Sequence, residues 1–169
     1  MRIILKQTVV YQESEDRLLL LCQFGDGLIL TFWLTRRLAD RLVSALFQYM
    51  ETSDDLSRSA GKEALVTWEN PVAKVGYSEP VSFPGEGPRY LIESIDIAPL
   101  ADGRQLLFRA RGCDEVCFAL DGVSLHQWMV ILHRMYLQAN WNAAEVWPSW
   151  FDPAQVVPDI RVPLGTVFH

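Results

Sequence analysis

Residues Arg2–Trp33 align without gaps on Arg89–Leu120. A chain that repeats itself over such a span is restricted to folds that can be built twice from one unit. Arg2 falls on Arg89, Arg17 on Arg104, Leu19 on Leu106, Leu20 on Leu107 and Gly25 on Gly112. Apolar residues meet apolar residues at Ile4 and Leu91, Leu5 and Ile92, Val10 and Ile97, and Leu21 and Phe108. A two-residue insertion then sets Thr35 on Ser124, Leu42 on Ile131, Val43 on Leu132, Leu46 on Met135 and Phe47 on Tyr136.

Each copy reads as strand, strand, strand, helix. In the first, Ile3–Tyr11 is a strand and Glu13–Asp16 a polar turn, and Arg17–Phe24 and Leu28–Leu34 form a hairpin around Gly25-Asp26-Gly27. Thr35 stands where a helix N-cap is wanted, ahead of Leu38, Leu42, Ala45, Leu46 and Tyr49 at helical spacing. In the second, Tyr90–Ala98 is a strand, Asp102-Gly103 a turn pair, and Gln105–Arg111 with Glu115–Leu120 the hairpin. Ser124 is the expected cap of a helix whose apolar positions include Leu125, Trp128, Met129, Leu132 and Tyr136. The expected fold class is therefore α+β, two tandem βββα repeats of antiparallel meander plus helix, with an extended Pro/Trp-rich C-terminal arm.

The two meanders differ in pattern. Leu18–Cys22 and Leu28–Leu34 are nearly continuous apolar runs, which in an antiparallel sheet means cover on both faces. The run Leu106 to Arg111 alternates instead, with Leu106, Phe108 and Ala110 on one face and Leu107, Arg109 and Arg111 on the other. The second sheet is thus expected to turn one face to water or to an anion. Whether the sheets join edge to edge or pack face to face is open at this level.

The chain has 169 residues, enough for one domain with a sizeable core. The expected layout is a single domain over 1–169: repeat one 1–50, an acidic connector 51–87, repeat two 88–140 and the arm 141–169. The connector carries three Lys/Arg against seven Asp/Glu, in a chain of net charge −6. That balance argues against a protein that grips nucleic acid through phosphates alone. Leu18–Thr35 is long and apolar enough to imitate a membrane span, but the Gly-Asp-Gly turn at its centre makes it a hairpin. Cys22, Cys113 and Cys117, an odd count without an export signal at Met1–Lys6, read as reduced thiols of a cytoplasmic protein.

The arm brings Trp141, Trp147, Trp150 and Phe151 close together, followed by Pro153, Pro158 and Pro163. Proline at this density blocks helix and central strand. The arm either covers the chain's own core or serves as a partner-binding segment, since aromatic residues are enriched at interfaces.

Candidate chemistry is sparse. Cys113 and Cys117 with His126 and His133 are the one group that resembles a metal constellation. Their spacing sets the cysteines about 13 Å apart along a strand and the histidines about 10 Å apart along a helix, so no metal and no cofactor is expected. No nucleophile elbow, nucleotide-binding glycine loop or HExxH helix is present. Arg36, Arg37 and Arg41 at a helix start, and Arg109 and Arg111 on the second sheet, are the candidate anion ligands.

Two copies of an antiparallel meander followed by a helix are similar in topology to the PUR-repeat and Whirly single-strand-binding proteins. Those families carry one more strand per repeat, which part of Leu65–Val75 would have to supply here, and they bind through basic and aromatic residues on the sheet. The resemblance implies a single-stranded nucleic-acid or anion binder. The reading placed first is a non-enzymatic protein-binding or adaptor module, self-associating or bound to another protein, with no membrane contact. An enzyme with its site between the repeats is the third.

Overall fold

The computed structural model describes residues 1–54, 80–82, 85, 87–101 and 103–151. Leu65–Val75, from which an extra strand would have to come, most of the acidic connector, Asp102, and Pro153, Pro158 and Pro163 of the arm lie outside these residues. The fold is α+β. In chain order it runs β1 (Arg2–Gln12), β2 (Arg17–Phe24), β3 (Ile29–Thr35), α1 (Arg36–Asp54), β4 (Arg89–Leu100), β5 (Gly103–Ala110), β6 (Val116–Asp121) and α2 (Gly122–Gln138). Single 3-10 turns follow β1 (Glu13–Glu15) and α2 (Ala143–Glu145).

The six strands do not form two separate sheets. They close in sequence order into one barrel. Within each half the strands meander antiparallel; the halves meet edge to edge at two parallel seams. One seam pairs Thr31, Phe32 and Trp33 of β3 with Arg89, Tyr90 and Leu91 of β4. The other pairs Arg2 and Ile3 of β1 with Val116 and Cys117 of β6. Both involve only the first residues of β1 and β4. Beyond those pairs the interior is filled by helix side chains: Leu42, Val43 and Leu46 of α1 and Met129, Leu132 and Tyr136 of α2 share one core with Leu20, Phe32, Leu106 and Phe118 of the strands.

The gap-free alignment of the two halves is one residue out of step with the structure. It sets Leu20 on Leu107 and Leu19 on Leu106. Leu20 and Leu106, however, lie in the main core, while Leu19 belongs to a second cluster on the outer side of β2 and β3. Side chains alternate across a strand, so a slip of one exchanges the faces. The ladders give the right correspondence. Ile4 pairs with Phe24 just before a bulge, and Ile92 pairs with Ala110 just before a bulge; Leu20 faces Phe32 as Leu106 faces Phe118. The first turn spans residues 13–16 between β1 and β2 but only 101–102 between β4 and β5, two residues fewer, so a single gap-free offset falls one residue out, in opposite directions, on either side of it.

The expected two-residue insertion before the second helix is also absent. Thr35 Oγ1 accepts the N–H of Leu38 at 3.3 Å, and the N-cap of α2 is Asp121, not Ser124: its Oδ1 accepts the Ser124 N–H at 2.7 Å. From these caps Ala39, Leu42, Val43 and Leu46 correspond to Leu125, Trp128, Met129 and Leu132, all buried. The shorter turn brings β5 close to β6. A Cβ on Gly103 would lie 1.9 Å from the Leu120 carbonyl oxygen, so no other residue fits there.

The outer faces follow the two sequence patterns. Leu19, Leu21 and Trp33 are buried beneath Val81, whose N–H donates to Thr8 Oγ1 at 2.8 Å. A connector residue thus supplies the second cover that the continuous apolar runs require. On β5, Leu106 and Phe108 are buried and Arg109 is exposed, as alternation demands.

Candidate functional site

The aromatic arm is the most heavily engaged of the sequence candidates. α2 ends at Gln138, and two residues on Asn140, with a φ of 52°, turns the chain out of the helical path. Trp141 Nε1 donates to Asp16 Oδ1 at 2.8 Å, and Tyr11 donates to the same oxygen at 2.9 Å. These two bonds hold the Asp16 carboxyl below the ordinary range of an aspartate. Trp147 and Phe151 then enter a layer with Phe47 of α1 and Tyr136 and His133 of α2, at ring separations of 5.5 Å from Phe47 to either one. Tyr136 ties the helices together by donating to Asp40 Oδ1 at 2.7 Å; burial first, then this carboxylate, pushes its phenol pKa up.

Trp141, Trp147 and Phe151 are buried in this layer, whereas Trp150 is 54% exposed. As partner-binding residues the first three are therefore not available in this arrangement: the arm covers the chain's own helices. Only Trp150 presents its surface outward while touching Phe47 with its edge.

The arginine candidates are spread over two regions and do not converge. Arg109 is gripped by two carboxylates, Glu115 at 2.5 Å and Asp96, and Arg111 pairs with Glu93 at 2.9 Å. These are cross-strand pairs on a wet face, where such charges contribute little individually. Arg36 lies 3.8 Å from Asp40 and over the Trp141 ring, at 5.9 Å. Arg37 and Arg41 are exposed on α1. The two groups sit on different elements, Arg36, Arg37 and Arg41 on α1, Arg109 on β5 and Arg111 just after it.

A feature that sequence reading missed lies where the barrel closes. Ile3 is 56% exposed and Leu5 64%, both on β1 and beside the exposed Met1. Leu5 is the extra residue of the bulge between Ile4 and Lys6, and so stands out from the ladder over Gly25, 3.7 Å from where a Cβ would be. Leu28 in the adjoining turn is also exposed. The corresponding place in the second half is occupied by Glu93 and Arg111, ion-paired. The signal in the sequence was that Leu5 interrupts strand alternation; a bulge is invisible without the partner strand.

Beside this patch Arg2, Leu28, Leu30, Tyr90, Gly112, Cys113 and Asp114 line a shallow cavity of about 300 Å³. Arg2 is held there by Asp26 at 3.0 Å. Burial, with the neighbouring Asp114, raises the Cys113 thiol pKa, the opposite of what activates a cysteine nucleophile. Cys22 is pushed up to about 12 by burial. Among the described residues no group of three His, Cys, Asp or Glu side chains could hold a metal ion, and no helix is long and apolar enough to cross a membrane. No protein-family model, curated protein or solved structure matches the chain.

Proposed function

We propose that the chain is a non-enzymatic protein-binding or adaptor module built from two repeats of one βββα unit, and that it self-associates through the outer face of the start of β1. The observation that carries this reading is the exposed Ile3–Leu5 surface. Single exposed apolar residues are ordinary, but Met1, Ile3 and the bulged Leu5, with Leu28 of the adjoining turn, make an exposed apolar group of the kind that proteins bury against one another. The matching registers, bulges and helix caps support the repeat reading. The buried arm counts against the arm as the contact surface, and the paired Arg109 and Arg111 count against a phosphate-binding sheet.

The test uses the second half as its template. Leu5→Glu with Gly25→Arg transplants the Glu93–Arg111 pair onto the first half, at a position where a side chain meets no obstruction. Native mass spectrometry of the purified chain is expected to give a dimer, and the double variant a folded monomer at the same concentration. A monomeric wild-type chain would overturn the reading, as would a double variant that stays dimeric.

A further inference from the structure

We propose that the first part of the arm, residues 141–151, is a pH-sensitive latch: neutral His133 holds it on the α1–α2 face, and protonation of His133 in mildly acidic solution releases it while the barrel stays folded. His133 is the histidine in contact with both Trp147 and Phe151. Its ring stands T-shaped to Trp147 with centroids 4.9 Å apart and lies 5.8 Å from Phe151, so both of these aromatic anchors rest on it. Its Nδ1 is sealed from solvent and has no hydrogen-bond partner. A neutral imidazole can leave that nitrogen as an unprotonated acceptor. An imidazolium must place an N–H donor and a positive charge there, among aromatic rings and without an acceptor. The ring faces of Trp147 and Phe151 offer some cation–π attraction, but not an acceptor for the buried N–H.

The charged groups around the layer do not replace this role. From α1, Asp40 is engaged by Tyr136 and by Arg36, toward the Trp141 end of the arm. From the arm itself, the Glu145 carboxylate accepts from Asn142 at 2.6 Å. From the β1–β2 turn, Asp16 holds Trp141 and stays ionised to below the ordinary aspartate range, so that anchor persists in mild acid. On α2, His126 lies against Phe151 at 5.4 Å and titrates in the same direction. Burial lowers the affinity of docked His133 for its proton relative to the undocked ring. Docking is therefore at full strength above about pH 6.5 and weakens as the pH falls below it. Trp141 remains as the hinge, and the segment from Ala143 to Phe151 lifts.

The corresponding position on α1 is Phe47, which packs on the same Trp147 and Phe151. That makes His133→Phe the informative variant: it preserves the aromatic layer and cannot titrate. Amide hydrogen exchange, corrected for intrinsic rate, is measured on the full chain at pH 7.5 and 5.5. In the wild-type chain, protection of residues 143–151 is expected to fall at least tenfold at the lower pH while β2 and β5 keep theirs; in His133→Phe the arm stays protected at both. If His133→Phe misfolds, His133→Gln serves, with the arm equally protected or equally open at the two pH values. Unchanged arm protection in the wild type, a pH response that survives in His133→Phe, or simultaneous loss of protection in the strands would each overturn the proposal.

Discussion

Where the first meander sets Leu19, Leu21 and Trp33 on its outer face, the second sets Gln105, Leu107 and Ala119 at the corresponding positions. The inward positions do not differ in this way. Leu18, Leu20, Phe32 and Leu34 answer to Arg104, Leu106, Phe118 and Leu120, apolar in all but one case. The inner faces share one core and one pair of helices, so both halves are held to the same chemistry. The outer faces share nothing. One is roofed by Val81; the other carries Arg109 between Asp96 and Glu115 and meets water. At the bulge the same division recurs, with exposed Leu5 against the Glu93–Arg111 pair. The first half therefore holds the apolar surface that needs cover, and the second half shows how the same backbone does without it.

The largest expected effect tests that dependence directly. Trp33 is 9% exposed, between Leu19, Leu91 and the Arg89 guanidinium. Trp33→Ala, which installs the residue that already stands at 119, should cost about 3–5 kcal/mol in urea unfolding. The reciprocal Ala119→Trp, on an exposed position of β6, should change stability by no more than about 0.5 kcal/mol. Equal effects at the two positions would break the comparison and mean that the roof over the first half contributes nothing.

Most of the fold was legible because it rests on local signals. The strands are placed within a few residues by their apolar patterns and by Gly25-Asp26-Gly27, and the helices by apolar spacing after Thr35 and Ser124, the second late, since α2 already begins at Gly122. What was not legible is relational. The correspondence of the halves slipped by one residue because Leu19-Leu20 and Leu106-Leu107 match in letters while opposite members point inward. Only the ladders, and the shorter turn before Gly103, disclose it. The N-cap of α2 was misplaced because Ser124 is a good cap residue in isolation, yet its own N–H is the one that Asp121 captures. Closure of the barrel rests on seams of two and three residue pairs, too short to leave a pattern. Of the candidate sites, the arm's aromatic character was evident, but which way it faced was not. Trp147 and Phe151 turn inward because Phe47, His133 and Tyr136 offer them edges from two helices far apart in sequence. Of the arginines, Arg109 and Arg111 take carboxylate partners from neighbouring strands and turns, while Arg36 meets Asp40 one turn along its own helix.

The caps sharpen the comparison at smaller magnitude. Asp121→Ala removes an oxygen that accepts at 2.7 Å at the positive end of α2, and should cost about 1 kcal/mol; Thr35→Ala, which loses a 3.3 Å contact at the start of α1, should cost less. The two also differ in pH dependence. The Ser124 N–H, then the Ser124 hydroxyl and the Val123 N–H, hold the Asp121 carboxyl below its ordinary range. A carboxyl lowered in the folded state stabilises above its unfolded value of about 3.9, and that contribution fades as the pH falls through the folded one. The stability difference between wild type and Asp121→Ala should therefore narrow in acid, while that for Thr35→Ala stays level.

The smallest expected effect lies on the wet face. Arg109 is exposed and shared between Glu115 and Asp96, and those hydrogen bonds hold its guanidinium more firmly protonated than usual. Solvent competes for all three charges, so the pairs orient the side chains without adding much to stability. Arg109→Ala should shift the urea midpoint by an amount close to the error of measurement, and by less still at high salt, where the pairs are screened. The same variant sorts the readings of the second sheet. If the face served to bind phosphate, Arg109→Ala would weaken oligonucleotide binding at low salt and flatten its salt dependence. With two carboxylates already neutralising the guanidinium and an acidic chain around it, fluorescence anisotropy is expected to show no oligonucleotide binding for the wild type or the variant. Binding by the wild type that the variant loses would mean that the second meander's outer face is wet because it waits for a ligand, rather than because nothing needs to cover it.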